Sequence, residues 1–153
     1  MTHHGLLVAS AVATGLMAGV FFAFSAAVMP GLARGSDRTF VETMRQVNAA
    51  IQNPLFFLVF FGSVLLPAAA AWWSHRAGDG PATAWALVGL GCSLVAFGLT
   101  VVVNVPLNNR LDTAGDDFAA ARAAYERPWT RANAIRTLTC TAAVAALAWA
   151  AAA

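Results

Sequence analysis

Trp129, Asn133 and Arg136 are spaced by four and three residues, which on a helix stacks an indole, an amide and a guanidinium along one face. A guanidinium offers several N–H donors in a planar fork and stays protonated. Aimed inward from a membrane helix, it would hold an anionic or enolate-like ligand; aimed outward, it would snorkel to the lipid head groups. If the helix enters the membrane at Trp129, a rise of about 1.5 Å per residue puts Asn133 roughly 6 Å and Arg136 roughly 10 Å deeper. Asn104 and Asn108 flank Pro106, whose missing N–H disturbs the helical ladder and bares carbonyls. Amides in that position either bind a ligand or cap a helix.

The elements that must position these groups are apolar runs. Hydrophobic residues make up 59% of the chain and charged residues 10%, and the mean hydropathy is +0.67, outside the balance of a soluble domain. Four spans, near residues 5–29, 55–73, 83–103 and 129–150, use most of the 153 residues and leave room for a single integral membrane domain. The expected architecture is all-α: a four-helix transmembrane antiparallel bundle, with short amphipathic helices in the first and third connections. Residues 36–53 place Phe40, Val41, Met44, Val47, Asn48 and Ile51 at helical spacing, with Ser36 or Asp37 as N-cap. Residues 112–127 place Phe118, Arg122 and Tyr125 likewise. Gly15 and Gly19 form a small-xxx-small stripe in the first span, and Pro67 is a possible kink in the second. Ala23-Phe24-Ser25 resembles a signal cleavage site, but no Lys or Arg precedes it and the apolar run exceeds a signal core, so it is read as a span.

Antiparallel threading gathers Ser25, Arg34, Asn48, Asn53, Asn104, Asn108, Trp129, Asn133 and Arg136 at one end of the bundle. The nine basic residues are all Arg. Arg34, Arg38, Arg45, Arg110, Arg122, Arg127 and Arg131 fall in the first and third connections or at their edges, which predicts both connections cytoplasmic and both termini outside. A net charge of +2 without a basic cluster excludes a nucleic-acid footprint. Cys92 and Cys140 lie in apolar runs without ligand spacing and read as small hydrophobes. Met1-Thr2-His3-His4 could chelate Cu(II) through the terminal amine and backbone nitrogens, with His75 on the same side, but further ligands are scarce.

The segments Gly19 to Ser25 with Val28-Met29-Pro30, Met44 to Asn48, Asn104-Val105-Pro106-Leu107-Asn108, and Trp129 to Arg136 together resemble the anthrone oxygenase-like membrane proteins, across essentially the whole chain. The resemblance implies a four-helix membrane fold and, in some fungal members, oxidation of an anthrone to an anthraquinone. Most members have no assigned function.

Such chemistry asks for a dry apolar pocket and donors where negative charge develops. Arg136, Asn133, Asn104 and Asn108 are the candidate catalytic groups; Trp129, Tyr125, Phe24 and Asn48 are the candidate substrate-binding ones. No base stands out: Glu42, Asp112 and Glu126 qualify only by type. The expected function is a membrane-bound, cofactor-independent oxygenase of hydrophobic polycyclic or phenolic substrates. The competing readings are a non-catalytic lipid-binding or accessory subunit and a transporter. The expected partners are a hydrophobic small molecule or lipid, the membrane, and a second copy in a homo-oligomer.

Overall fold

Side-chain caps set the helix boundaries. In the computed structural model, which describes residues 3–152, each run of continuous helical backbone counts as one helix, giving α1 (His3–Leu32), α3 (Pro54–Arg76), α4 (Gly80–Thr113) and α5 (Phe118–Ala152), with α2 (Asp37–Ile51) between the first two. Ser36 Oγ accepts from Thr39 N at 3.2 Å to open α2, Asn53 Oδ1 accepts from Phe56 N at 3.0 Å to open α3, and Asp79 Oδ1 accepts from Ala82 N at 3.0 Å to open α4. Pro54 and Pro81 sit in the first turns they open, where a missing N–H costs nothing. Gly78 turns the chain between α3 and α4 at φ 74°, a conformation that favours glycine.

Four of these helices are long and apolar enough to cross a membrane, and the chain is a multi-pass membrane protein. The 23 residues of α3 span about 35 Å, a match to a hydrocarbon core of about 30 Å. The other three spanning helices are longer, at 30, 34 and 35 residues, and their excess lies at one end, the head, where α2 packs. At the opposite end, the tail, Leu7, Ala70, Ala71, Ala82, Ala86, Leu147 and Ala150 form one apolar cluster. Small side chains there let the backbones approach closely.

Amphipathic α2 folds into the bundle rather than onto the membrane surface. It buries Phe40, Val41 and Met44 against Met29, Leu111, Tyr125 and Trp129. The helix expected over residues 112–127 forms only in part: residues 112–113 end α4, residues 114–117 are the connection, and residues 118–127 are the first turns of α5 rather than an element of their own. Pro128 does not interrupt that helix. Asp117 caps the first turn of α5, its Oδ1 accepting from Ala120 N at 3.0 Å.

Two spans carry a π turn near the head: Phe24–Val28 in α1 and Thr100–Asn104 in α4. Each ends two residues before a proline, Pro30 or Pro106. Proline clashes with the carbonyl four residues back and removes a donor. Widening the preceding turn accommodates both effects without a break.

Candidate functional site

The head end of the bundle holds a cavity of about 260 Å³, walled by α1 (Val20, Phe21, Phe24), α2 (Val47, Asn48, Ile51, Gln52), α3 (Phe56, Phe57, Phe60), α4 (Thr100, Asn104, Val105, Asn108, Asn109) and α5 (Trp129, Asn133, Arg136). Its position follows from the π turns. They fall where α1 and α4 pass the one-face triad of α5, and they contribute Phe24, Thr100 and Asn104 to the lining.

Arg136 is only 4% exposed, so it does not snorkel. Its Nη1 donates to Thr100 Oγ1 at 3.1 Å and its Nη2 to Asn133 Oδ1 at 2.7 Å. The guanidinium carbon lies 4.2 Å from the Phe21 ring centroid and 5.4 Å from that of Trp129, within cation–π range. Among the described residues no carboxylate pairs with it. Here is a buried cation held by neutral dipoles and aromatic faces. Desolvating an ion costs several kcal/mol unless a counter-charge or good hydrogen bonds offset it.

The other amides divide into those whose hydrogen bonds are complete and those left open. Asn133 Nδ2 donates to the Phe21 carbonyl at 2.9 Å and to Ser25 Oγ at 2.8 Å. With Oδ1 taken by Arg136, Asn133 is fully used in orienting the guanidinium. Asn108 Oδ1 accepts from both Tyr125 Oη and Trp129 Nε1 at 2.9 Å, which fixes the indole against the cavity. By contrast, Arg136 Nε, Asn48 Nδ2 and Asn104 Oδ1 are buried without a hydrogen-bond partner. The first two are donors and the third an acceptor, all on residues that line one cavity. Asn104 Nδ2 makes only a long contact, 3.4 Å, to the Trp129 carbonyl.

Aromatic rings supply flat walls. Phe24 and Trp129 lie 5.4 Å apart between centroids, Phe56 stacks on Phe60 at 5.7 Å, and Phe60 on Phe97 at 4.7 Å.

Seven of the eight candidate residues from the sequence line this cavity; Tyr125 does not, and stands behind Asn108 beside Asn48. Ser25 reaches the site through Asn133. Arg34 is exposed on the α1–α2 connection, and Asn53 is spent capping α3. Glu42 pairs with Arg38 and Glu126 with Arg122, while Asp112 is exposed; none of the three lines the cavity. Thr100, Phe21, Gln52 and the α3 phenylalanines are additions that sequence reading did not supply. Thr100 had a signal: with Asn104 and Asn108 it makes a constant spacing of four.

No group of three metal-ligating side chains occurs among the described residues. His3 Nε2 lies 3.5 Å from Asp79 Oδ2, which puts the start of α1 beside the second connection. The copper reading also needs Met1 and Thr2, which lie outside the described residues.

Fold and site together define a class: a multi-pass helical bundle with a mostly apolar cavity that holds a buried guanidinium under a helical roof. Residues 56–146 match the family described as Anthrone oxygenase, and the chain belongs to that family. No curated protein and no solved structure matches it.

Proposed function

We propose that the protein is a membrane-bound oxygenase of hydrophobic polycyclic or phenolic substrates of the anthrone type, with dioxygen adding directly to the substrate anion and no cofactor taking part. The observation that supports this reading is the buried Arg136 guanidinium without a carboxylate, because such a charge favours a ligand that carries or develops negative charge on oxygen. With no carboxylate lining the cavity, the substrate is taken up already ionised. Arg136 Nε and Asn48 Nδ2 donate to its oxyanion, and Asn104 Oδ1 accepts from a neighbouring hydroxyl. The carbanion form of the bound anion then bonds to dioxygen, which is reduced to the peroxide level and takes up one proton. Loss of the second C–H proton with cleavage of the O–O bond leaves a carbonyl and releases one water.

The test is dioxygen uptake by the protein in lipid nanodiscs supplied with anthrone. One dioxygen should be consumed per quinone formed, faster than in protein-free discs, and the rate should rise with pH as more substrate ionises. Isotopically labelled dioxygen should leave one atom in the quinone and one in water. Rates equal to protein-free discs from neutral to mildly alkaline pH would overturn the reading. An acidic lipid co-purifying with the inactive protein would then favour the binding role.

The same proposal sets the head in the cytoplasm and both termini outside. Support comes from Arg34, Arg38, Arg45, Arg110, Arg122, Arg127 and Arg131, none of which lines the cavity, so the positive-inside bias is not an artefact of the site. A reporter fused at the C-terminus should signal from outside the cytoplasm.

A further inference from the structure

At the aqueous head charged hydrogen bonds tie the helical roof down, and on the lipid side Phe57 stands between the cavity and an apolar groove. Arg122 donates from Nη1 to the Gly35 carbonyl at 3.1 Å and Asp37 Oδ1 at 3.0 Å, from Nη2 to the Ala33 carbonyl at 3.0 Å, and from Nε to Glu126 Oε2 at 2.7 Å. Arg45 donates to the carbonyls of Leu111 and Ala114. These bonds tie both ends of the roof connections together, and lifting α2 breaks several charge-assisted contacts at once. On the lipid side, an apolar groove of about 790 Å³ lies between α1 and α3, floored by Ala13 and Gly62 and flanked by Val12, Leu16, Phe61 and Leu65. Phe57 belongs to the walls of both groove and cavity. It is 42% exposed, and among the described residues its ring makes aromatic contacts with Phe56, edge to face, and with Phe61, stacked at 6.4 Å. Turning one side chain between staggered rotamers is a small motion compared with lifting a helix.

We propose that the ligand of the cavity is drawn from within the bilayer, passing between α1 and α3 and past Phe57. Phe57 thereby selects for compounds dissolved in lipid over compounds dissolved in water. The route rests on the cavity being a ligand site, and the groove's occupant is that lipid-dissolved compound in transit. Continuity with the cavity through a shared aromatic wall is what distinguishes this groove from an ordinary lipid-facing surface. A second copy of the chain, or a lipid chain held permanently, would instead plug the groove.

Trp129 in the cavity wall is a built-in sensor. Trp72, Trp73, Trp85 and Trp149 are 42% to 64% exposed, so Phe replaces them without disturbing the interior. In phosphatidylcholine nanodiscs this single-tryptophan protein is titrated with two quenchers: a doxyl-labelled alkane confined to the bilayer, and iodide in the water. The alkane should quench Trp129 more effectively than iodide, and Phe57→Ala should raise alkane quenching several-fold while leaving iodide quenching unchanged. Equal or better quenching by iodide, or no response to Phe57→Ala, overturns the route; the second result is also what a plugged groove would give. A rise with both quenchers, the mark of a loosened bundle, counts against it as well. The second variant closes the groove instead of opening it. A Cβ on Gly62 falls 3.8 Å from that of Ala13, within disulfide geometry. Oxidised Ala13→Cys/Gly62→Cys should lose alkane quenching several-fold and regain it on reduction, and an unchanged signal overturns the route. No substrate is added in either arm, so a negative oxygen assay with a positive quenching result removes the oxygenase reading and leaves the route standing.

Discussion

The two ends of the bundle solve opposite problems with the same spanning helices. At the tail, alanines and two leucines close the seam, and Gly89 lets α4 approach so near that an added Cβ would sit 2.7 Å from Leu147 Cγ. At the head, aromatic rings and a helical roof hold the seam open around a cation. Buried polar atoms without partners are of two kinds. Thr14, Ser74, Ser93 and, at the head itself, Thr130 carry hydroxyls that line none of the described cavities. Arg136 Nε, Asn48 Nδ2 and Asn104 Oδ1 share a cavity beside a full charge. The difference teaches where to look for a ligand: an isolated buried hydroxyl left unpaired costs about 1–3 kcal/mol, whereas a buried guanidinium sets a larger and directional demand.

The sharpest way to break the comparison is Arg136→Lys. An ammonium keeps the charge but cannot serve Thr100, Asn133 and a ligand through one planar fork. Turnover of the substrate should fall by about 100-fold or more, the scale of losing an oxyanion donor, while stability falls by only about 1–3 kcal/mol for the partner left unpaired. Equal losses of folding and activity would mean that Arg136 is structural. Asn108→Ala comes next. It strands the Tyr125 hydroxyl and the Trp129 indole N–H, each at a cost of about 1–3 kcal/mol, so unfolding should shift and substrate KM rise through the displaced indole.

Gly89→Ala probes the other end. The new methyl must displace a fully buried Leu147, and overpacking of this kind costs about 1–3 kcal/mol. It should lower stability without touching KM or turnover rate, and Leu147→Ala on top of it should return part of the loss. An effect on turnover would show the two ends to be coupled. The smallest effect belongs to Arg122→Ala, which releases the roof ties in a partly solvated network. The cost is about 1 kcal/mol, visible as faster hydrogen exchange in residues 33–37.

Much of this was legible before any coordinates. The apolar runs gave the number of spans because a bilayer tolerates few alternatives. The Trp129, Asn133 and Arg136 face followed from helical geometry alone. What sequence could not decide was the direction of the Arg136 side chain, since snorkelling and inward burial share one residue pattern; Thr100 and Phe21, on other helices, made the difference. Tyr125, expected among the substrate-binding residues, lies on nearly the same helical face as Trp129, but its hydroxyl is given to Asn108 and its ring packs with the apolar face of α2, so it does not line the cavity. The charged stretch 112–127 reads as a helix separate from the span that begins near Trp129, because its polarity differs from the apolar run that follows; the helical backbone instead runs through Pro128 without a break.

Thr100, Asn104 and Asn108 step along α4 by four residues each time. On an ideal α-helix such a row drifts about 40° around the axis per step, because four residues overshoot a 3.6-residue turn. The wide turn at Thr100–Asn104 takes up that overshoot as a phase correction. The three side chains stay in register with one another, and the helix beyond Pro106 is dialled back relative to the helix before it. Forcing this turn into ordinary α-helix with all its residues kept would swing everything above it by up to about 100°. The tail seam would keep its alanines facing inward while Asn108 rotated out of reach of Tyr125 and Trp129. One surplus residue thus lets a single rod present two independently aimed faces.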